Sequence, residues 1–468
     1  MKKYESNQRH VNRLLHHVYN STTSMRPSYQ SRTCTLEDQL RDLAPMELPP
    51  VYSCANLRSI YGEFLRLRLL YIERLKKSVI SGQNENKCLN LPTEVTEEVL
   101  CRIPVTSLRP VRSTCKEWNT LSRCGVFAKK HLAHQAKVAE EAKEDPLVVM
   151  MMDCRVYLMR FNLSNIKNNN NVESCVKPEA AKLIGPDGSD QIDVCEIFHC
   201  DGLLLCIPKD HSRLVVWNPY WGQTRWIECT HNYHLQPKHM VDKYTYALGY
   251  DSSSNSHKVL RLIDYPTKFV EFKIYEFSSD SWRILDLLPR DWMIGGWGER
   301  GLSLKGNTYW FTYDNNDSFL VCFDFTRETF WSPLPLPFEN AYPQDTVSLS
   351  SVREDQLVIL FQPWDILILE IWISTKIDEP NALSWNNKMF LSADIRQLIP
   401  PSAGFFIDEE KKIAVVFDKD TDIQNPTREV AYIIGVDGSF KAADVRECAD
   451  KVSSAIVCSY IPSLVQLN

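Results

Sequence analysis

The chain has 468 residues, enough for two or three domains with a sizeable core. Hydrophobic residues make up 44% and charged residues 24%, which is ordinary for a soluble globular protein. Residues 1–80 carry 13 Lys and Arg against 7 Asp and Glu, whereas the remainder carries 40 against 52, and a body of that sign argues against nucleic acid as the main ligand.

The N-terminus, MKKYESNQRHVNRLLHH, lacks the apolar segment of a signal peptide. The 15 cysteines are scattered without C-x-x-C spacing, and their odd number favours reduced thiols. We therefore expect a location in the cytoplasm, the nucleus or both. Residues 357–374 are the best candidate for a membrane span, but polar residues and Pro363 interrupt them. They are better explained as two buried strands around a turn, so no membrane partner is expected.

Residues 1–86 are interpreted as an N-terminal extension. Up to residue 55 they are polar and interrupted by proline, which predicts disorder or loose structure. Between Leu57 and Ile80 an apolar stripe with basic residues mostly off it predicts one amphipathic helix. Such a helix can bind a membrane surface or a partner helix, and packing on the neighbouring module is the favoured alternative.

Residues 89–122 predict two short amphipathic helices. Pro92 suits a first helical turn, Pro104 should end the first helix near Ile103, and Thr106 can cap the second. Apolar residues recur at helical spacing in two sets: Val95, Val99, Leu100 and Ile103, then Leu108, Val111, Cys115 and Trp118. This small unit has more apolar surface than it can bury on itself, which predicts a partner.

The same stretch resembles an F-box. The matching residues are Leu91-Pro92, the acidic Glu94, Glu97 and Glu98, Ile103-Pro104, Ser107-Leu108, Val111-Arg112, and Cys115-Lys116-x-Trp118. The resemblance implies docking on a Skp-family adaptor of a cullin-based SCF ubiquitin ligase. The residues that it assigns to adaptor binding are Leu91, Pro92, Val95, Val99, Leu100, Ile103, Pro104, Leu108, Arg112, Cys115 and Trp118. Some of them must instead support the module's own core. Thr96, Pro110 and Thr114 depart from the family's pattern, and an ordinary helical hairpin packed on the rest of the chain is the alternative.

A third helix is predicted around Phe127 and Leu132, running into a stiff connector that ends at Pro146. From Leu147 onward the pattern changes to period two, with five similar hairpins, each preceded by another apolar strand. The aromatic residues that open the second strand of each hairpin are Trp226, Trp282, Trp331, Trp385 and Phe440. Their spacings of 56, 49, 54 and 55 residues are typical of a kelch-like β-propeller. Residues 148–161 are a candidate for a further blade, and the tryptophans should fill the wedges between blades.

The order of motifs in this region resembles the F-box-associated domain of plant F-box proteins. The resemblance runs from about Cys200 to the C-terminus through CDGLLLC, VVWNP, QTRWI, YALGYD, IYEFSSDSWR, SLKGNTYWF, DTVSLS and YIPSLVQL. The kelch double glycine occurs only at Gly295-Gly296, so a divergent propeller is expected.

Three groups of residues have some features of a metal or catalytic site. The run 418–429 has acidic residues at four EF-hand positions but Ile423 where the loop needs glycine, so a charged hairpin loop is preferred. His231, His234 and His239 do not have zinc-site spacing and are expected in an exposed loop. Cys195, Cys200 and Cys206, with His199 among them, suit small buried apolar positions. The G-x-S-x-G, Walker and H-E-x-x-H motifs do not occur in the sequence, and no cofactor, metal or catalytic residue is predicted.

The sequence therefore predicts a multidomain protein, with a small all-α module followed by an all-β propeller-like domain. The predicted units are the extension 1–86, the F-box 87–135, a helical connector 136–146, and the propeller-like domain 147–468. The predicted function is a non-catalytic substrate receptor of a ubiquitin ligase. The alternatives are a binding propeller whose F-box recruits no ligase and a propeller enzyme.

Overall fold

A computed structural model describes the following residues: 93–103, 105, 108, 116–142, 147–160, 179–180, 183, 191–211, 213–229, 244–264, 270–287, 292, 294, 300–314, 317–339, 341–401, 403–420, 427–447 and 456–467. The extension 1–86, with its predicted helix, lies outside them, as do His231, His234 and His239. In the parts of the chain that are described, no helix is both long and apolar enough to cross a membrane.

Three helices precede the first strand. They are α1 (Thr93–Cys101), α2 (Lys116–Ser122) and α3 (Gly125–Ala142), here called the helical module. Helix α1 ends two residues before Ile103, close to the end predicted from Pro104. Helix α3 is continuous through the predicted third helix and into the predicted connector, so this segment is one rod of 18 residues.

The strands that follow the helices form six four-stranded antiparallel sheets, which are the blades of a propeller. Blade 1 holds β1 (Leu147–Met152), β2 (Arg155–Arg160), β3 (Glu179–Ala180) and β24 (Ile456–Ser459). Blade 2 holds β4 (Val194–Cys200), β5 (Leu203–Pro208), β6 (Arg213–Asn218) and β7 (Gln223–Glu228). Blade 3 holds β8 (Tyr244–Asp251), β9 (Ser256–Asp264), β10 (Val270–Glu276) and β11 (Ser281–Leu285).

Blade 4 holds β12 (Leu302–Leu304), β13 (Asn307–Tyr313), β14 (Ser318–Asp324) and β15 (Thr329–Phe330). Blade 5 holds β16 (Thr346–Val352), β17 (Gln356–Gln362), β18 (Ile368–Ser374) and β19 (Trp385–Asp394). Blade 6 holds β20 (Phe405–Asp408), β21 (Ile413–Asp420), β22 (Arg428–Gly435) and β23 (Phe440–Glu447). The all-β propeller that was predicted is thus confirmed, with six blades.

The five predicted hairpins are the outer strand pairs of blades 2 to 6. The apolar run 357–374 forms β17 and β18 around a turn, as predicted. The acidic run 418–429 joins β21 to β22, where Lys419 faces Glu429 across the ladder, so it is a hairpin and not a helix-flanked calcium loop.

The C-terminus closes the ring. Strand β24 pairs antiparallel with β1, with Ser459 opposite Val148, and so supplies the innermost strand of blade 1. The inner strands β24, β4, β8, β12, β16 and β20 contact one another in a complete circle. Blade 1 is therefore built from both ends of the domain, which ties the last strand of the chain to the first.

Each pair of neighbouring blades shares its own apolar core. Between blades 3 and 4 the approach is so close that a Cβ on Gly249 would lie 2.0 Å from the ring of Phe325, which only glycine can accommodate. The predicted tryptophans are half-buried against these cores. The indole N–H of Trp282 donates to the Glu228 carbonyl of blade 2 at 2.9 Å, and that of Trp385 donates to the Pro335 carbonyl at 2.8 Å. These two tryptophans bridge neighbouring blades as expected of wedge residues.

Candidate docking surfaces

The helical module packs directly on the propeller. Leu100, Ile103 and Leu108 belong to the same apolar core as Val149 of blade 1 and Trp217 of blade 2. The core between these two blades therefore continues into the helices. Much of the surplus apolar surface predicted for the helices is thus covered by the propeller itself.

His131 on α3 is the centre of this contact. Its Nε2 lies 2.8 Å from the carbonyl oxygen of Ile103 and its Nδ1 lies 3.2 Å from the hydroxyl of Tyr220. A carbonyl oxygen only accepts, so Nε2 carries a proton, and in the neutral ring Nδ1 accepts from the Tyr220 hydroxyl. The ring is buried and stacks on Phe127 and Tyr220, with centroids 5.7 and 5.8 Å away.

Side chains of α3 also complete the end of α1. The amide of Gln135 donates to the Cys101 carbonyl at 2.8 Å, and His131 serves the Ile103 carbonyl in the same way. The last carbonyls of a helix have no partner within the helix, so these bonds fix where α1 ends. Burial raises the pKa of the Cys101 thiol, which therefore stays protonated near neutral pH.

Tyr220 is held by a tight turn between β6 and β7. The side-chain oxygen of Asn218 accepts from the backbone N–H of Tyr220 at 2.9 Å and of Trp221 at 3.2 Å. Its amide donates to the carbonyls of Ser463 and Val465 at 3.2 and 2.7 Å. One buried asparagine therefore positions the turn that receives the helices and anchors the C-terminal segment.

The outward side of the helical module is charged. Glu97 pairs with Lys130 of α3 at 3.1 Å, and Glu98 pairs with Arg102 at 2.7 Å. The hydrogen bond from Lys130 to Glu97 raises the pKa of the lysine, which therefore stays charged at neutral pH. Val126 is 78% exposed at the start of α3.

The residues predicted to bind an adaptor divide into three groups. Leu100, Ile103 and Leu108 are buried in the core shared with the propeller, and they could reach a partner only if the helices moved. Val99 and Trp118 are half-buried, and Trp118 packs against that core. Val95 lies in α1, and the remaining predicted residues lie outside the described part of the chain: Leu91, Pro92, Pro104, Arg112 and Cys115. Their assignment to adaptor binding remains a prediction.

His131 and Tyr220 are not among the site residues predicted from the sequence. Two signals pointed to them. His131 continues the apolar face of α3 four residues after Phe127, and such residues lie on the same side of a helix. Tyr220 and Trp221 occupy a turn before Gly222, where polar residues are more usual.

A second surface lies on the loops of blade 5. Tyr342, Trp364, Ile366, Leu367 and Leu398 are between 42% and 59% exposed and come from three different loops. Such a concentration of large apolar side chains at one place on a folded surface is typical of a binding site. The sequence signal was the run Trp364 to Ile368 within a predicted turn.

An axial cavity lies between the inner strands of the blades. No Asp or Glu is among the described residues that line it, and its lining mixes apolar side chains such as Ile197 and Val347 with polar ones such as Ser303 and Ser348. Burial lowers the pKa of His199, which lines it, to about 4, so this imidazole is neutral at physiological pH. Arg300 is the charged side chain of the lining.

One group of described residues has the donor set of a metal site. Cys200, Asp201 and His257 place ligand atoms within 4.8 Å of one another. Burial raises the pKa of the Cys200 thiol well above its usual range, whereas the neighbouring His257 imidazole, whose Nε2 lies 3.7 Å from an Asp201 carboxylate oxygen, lowers the pKa of Asp201. The Asp201–His257 pair connects blade 2 to blade 3, which gives these residues a structural role. The neighbouring thiol is protonated and thus a poor metal ligand, so we assign no metal to the group.

Comparison with known proteins identifies the two parts of the chain. A sequence model of the F-box domain matches residues 88–125, and a model of the F-box-associated β-propeller domain matches residues 147–467. The chain is a plant F-box protein. It is similar to the F-box protein At3g19470 of Arabidopsis thaliana, with 57% identity over 404 residues that cover 81% of this chain and all of the relative. It is also similar to the F-box/kelch-repeat protein At3g16740 of the same plant, with 47% identity over 408 residues, 81% of this chain and 99% of the relative.

The family membership assigns each of the two candidate surfaces to a known domain. Helices α1 and α2 lie within the F-box match and α3 follows it, and in this F-box protein the helical module is joined to one end of the propeller through His131 and Tyr220. The blade 5 loops belong to the F-box-associated propeller domain. The protein therefore combines two separate candidate interaction surfaces in one chain.

Proposed function

We propose that this F-box protein is the substrate-recognition subunit of an SCF-type cullin ubiquitin ligase. The F-box binds a Skp-family adaptor and, through it, a cullin–RING ligase, while the propeller binds a target protein. The protein itself performs no bond chemistry in this proposal. Its contribution is to raise the local concentration of a target lysine near the ubiquitin that is to be transferred.

The observation that carries the proposal is the direct packing of the F-box helices on the propeller. Leu100 and Ile103 share a core with Val149 and Trp217, and His131 is hydrogen-bonded to both sides. A proximity mechanism benefits from a fixed distance between the ligase and the target, because a flexible link lowers the effective concentration. A shared core supports such a fixed arrangement better than a free connector would.

The proposal is tested by co-purification of the full chain with a purified Skp-family adaptor. The full chain is needed because an isolated 87–135 segment would lose the propeller half of its core. We expect a stable complex, and we expect Leu91→Asp and Pro104→Ala each to weaken adaptor binding by about 10-fold or more if these residues form the centre of the interface. Val138→Asp is the matched control, because Val138 is a partly exposed residue of α3 outside the predicted set.

Far-UV circular dichroism of each variant separates a lost contact from a lost fold. A folded wild-type chain that does not retain the adaptor would overturn the proposal. That outcome would favour the alternative of a binding propeller that recruits no ligase. Equal loss of binding in Val138→Asp and Leu91→Asp would show that the predicted residues have no special role.

We also propose that the protein resides in the cytoplasm, the nucleus or both. The nine cysteines described with free thiols support a reducing compartment. A fluorescent fusion that enters the secretory pathway would contradict this location.

A further inference from the structure

The exposed apolar side chains of blade 5 form one surface. We define the apolar platform as Tyr342, Trp364, Ile366, Leu367 and Leu398, which extend from the β15–β16, β17–β18 and β19–β20 loops. Tyr342 and Trp364 are each more than half exposed. Exposed Trp and Tyr side chains are the types most enriched among residues that dominate binding energy in protein interfaces.

Buried polar groups hold the platform in place. The carboxylate of Asp345 accepts from the backbone N–H of Tyr342 at 2.7 Å and from that of Trp364 at 3.0 Å. Asp345 is buried, so both bonds are shielded from competing water. One carboxylate therefore joins the first platform loop to the second.

Gln362 joins the second loop to the third. Its side-chain oxygen accepts from the N–H of Ile399 at 2.8 Å, and its amide donates to the carbonyl of Gln397 at 2.9 Å. The N–H of Ile395 also donates to the carbonyl of Leu367 at 3.1 Å. The three loops are thus cross-linked before any partner arrives, which reduces the ordering entropy that binding would otherwise lose.

The platform lies at the end of the propeller opposite to the F-box. Antiparallel neighbours reverse direction at each turn, so the turn after the second strand of a blade lies at one end and the turn after the third strand at the other. Tyr220, which contacts the F-box, lies in the β6–β7 turn after a third strand, whereas Trp364 lies in the β17–β18 turn after a second strand. A partner on the platform would therefore not compete with an adaptor on the F-box.

The charge around the platform is acidic. The segments that form or adjoin it are 314–317, 339–344, 363–368 and 394–402, and together they contain five acidic residues and one basic residue, with the buried Asp345 left out of the count. Asp365 and Asp394 are exposed among them, and Arg396 is the single cation. A rim of this sign attracts basic partners and repels acidic ones.

We propose that the apolar platform is the target-binding surface, and that its occupant is a segment of another protein in which large apolar side chains are flanked by Lys or Arg. The apolar side chains pack against Trp364 and Tyr342, and the basic side chains face the acidic rim. This inference rests on the proposed function, because it assigns to the propeller the target that a substrate receptor requires.

The test is a selection of random twelve-residue peptides displayed on phage against the immobilised full chain, followed by fluorescence anisotropy of enriched synthetic peptides. We expect the enriched peptides to combine Trp, Leu, Ile or Phe with Lys or Arg, and their affinity to fall as ionic strength rises. Trp364→Ser and Leu367→Ser should each weaken binding by about 10-fold or more, as expected for central interface residues. Ile284→Ser, at a residue 65% exposed on β11 of blade 3, is the control and should leave binding unchanged.

Three results would overturn the inference. They are the absence of any enriched peptide, enriched peptides that bind Trp364→Ser as tightly as the wild-type chain, and enrichment of acidic sequences. A wild-type dimer in sedimentation velocity that Trp364→Ser converts to a monomer would also overturn it, since the occupant would then be a second copy of the chain. Adaptor co-purification of the Trp364→Ser chain distinguishes the two proposals. If this variant retains the adaptor and still binds the peptides as the wild-type chain does, only the assignment of the apolar platform is wrong.

Discussion

The shared core predicts that the F-box and the propeller unfold together, and Tyr220→Ala is the sharpest perturbation of that core. Tyr220 is buried, its ring stacks on His131 at 5.8 Å, and its hydroxyl is bonded to Nδ1 of His131. Removing a buried aromatic ring costs about 3–5 kcal/mol of unfolding free energy through lost packing and the cavity left behind. The loss of a donor to buried Nδ1 adds about 1 kcal/mol, although the two contributions are coupled.

The assay is urea unfolding of the full chain, followed both by far-UV circular dichroism and by tryptophan fluorescence. We expect coincident transitions in the wild-type chain and a coincident shift of both to lower urea in Tyr220→Ala. Tyr220→Phe keeps the ring and removes only the hydroxyl, so its effect should be about 1 kcal/mol. Tyr342→Ala serves as the control, because Tyr342 is 59% exposed and its truncation should change stability by no more than about 0.5 kcal/mol.

The decisive outcome concerns the helices. A separate helical transition at low urea that Tyr220→Ala leaves unmoved would refute the shared core as a cooperative unit. An isolated 87–135 segment with full helicity would refute it as well, because that segment lacks Trp217, Tyr220 and Trp221.

Two further predictions concern ring closure and a buried ion cluster. Deletion of residues 456–468 removes β24 and exposes the edge of β1, so we expect loss of cooperative unfolding and rapid limited proteolysis, whereas removal of Asn468 alone should have no effect. Lys258→Met should destabilise the chain by about 3–5 kcal/mol at neutral pH, since Lys258 bridges Asp251 at 2.7 Å and Glu328 at 2.6 Å inside the structure. Burial alone would raise the pKa of Asp251, but its bonds from Lys258 and two serines lower it overall, so its stabilising contribution is present at neutral pH and lost as pH falls. The penalty of Lys258→Met in urea unfolding should therefore shrink at acidic pH, and a pH-independent penalty would contradict this reasoning.

Much of the propeller could be predicted from local pattern. Hairpins such as β17–β18 were visible because two apolar runs flank a turn containing Pro363. The repeat of about 50 residues was visible because each blade needs the same wedge-filling aromatic side chain, as Trp282 and Trp385 show. Blade 1 was harder to recognise, since its inner strand comes from residues 456–459 and pairs with β1 about 300 positions earlier in the chain.

The candidate sites depended more on long-range contacts. Periodicity placed Leu100, Ile103 and Leu108 on apolar helix faces, but it does not say what covers an apolar face. The propeller covers these three residues, which makes them poor direct contacts for an adaptor in this arrangement. The apolar platform likewise requires Asp345 and Gln362 to bring three loops together.

The sequence by itself determined the helical module, the blade repeat and the family resemblance, because each depends on residue patterns that recur over a few residues to a few tens of residues. The tertiary structure decided how the ring closes, which helix residues are buried, and where exposed apolar side chains collect. These depend on contacts between segments far apart in the chain, such as His131 with Tyr220 and Asp345 with Trp364. Local periodicity carries no record of such pairings, since it reports only which face of an element is apolar.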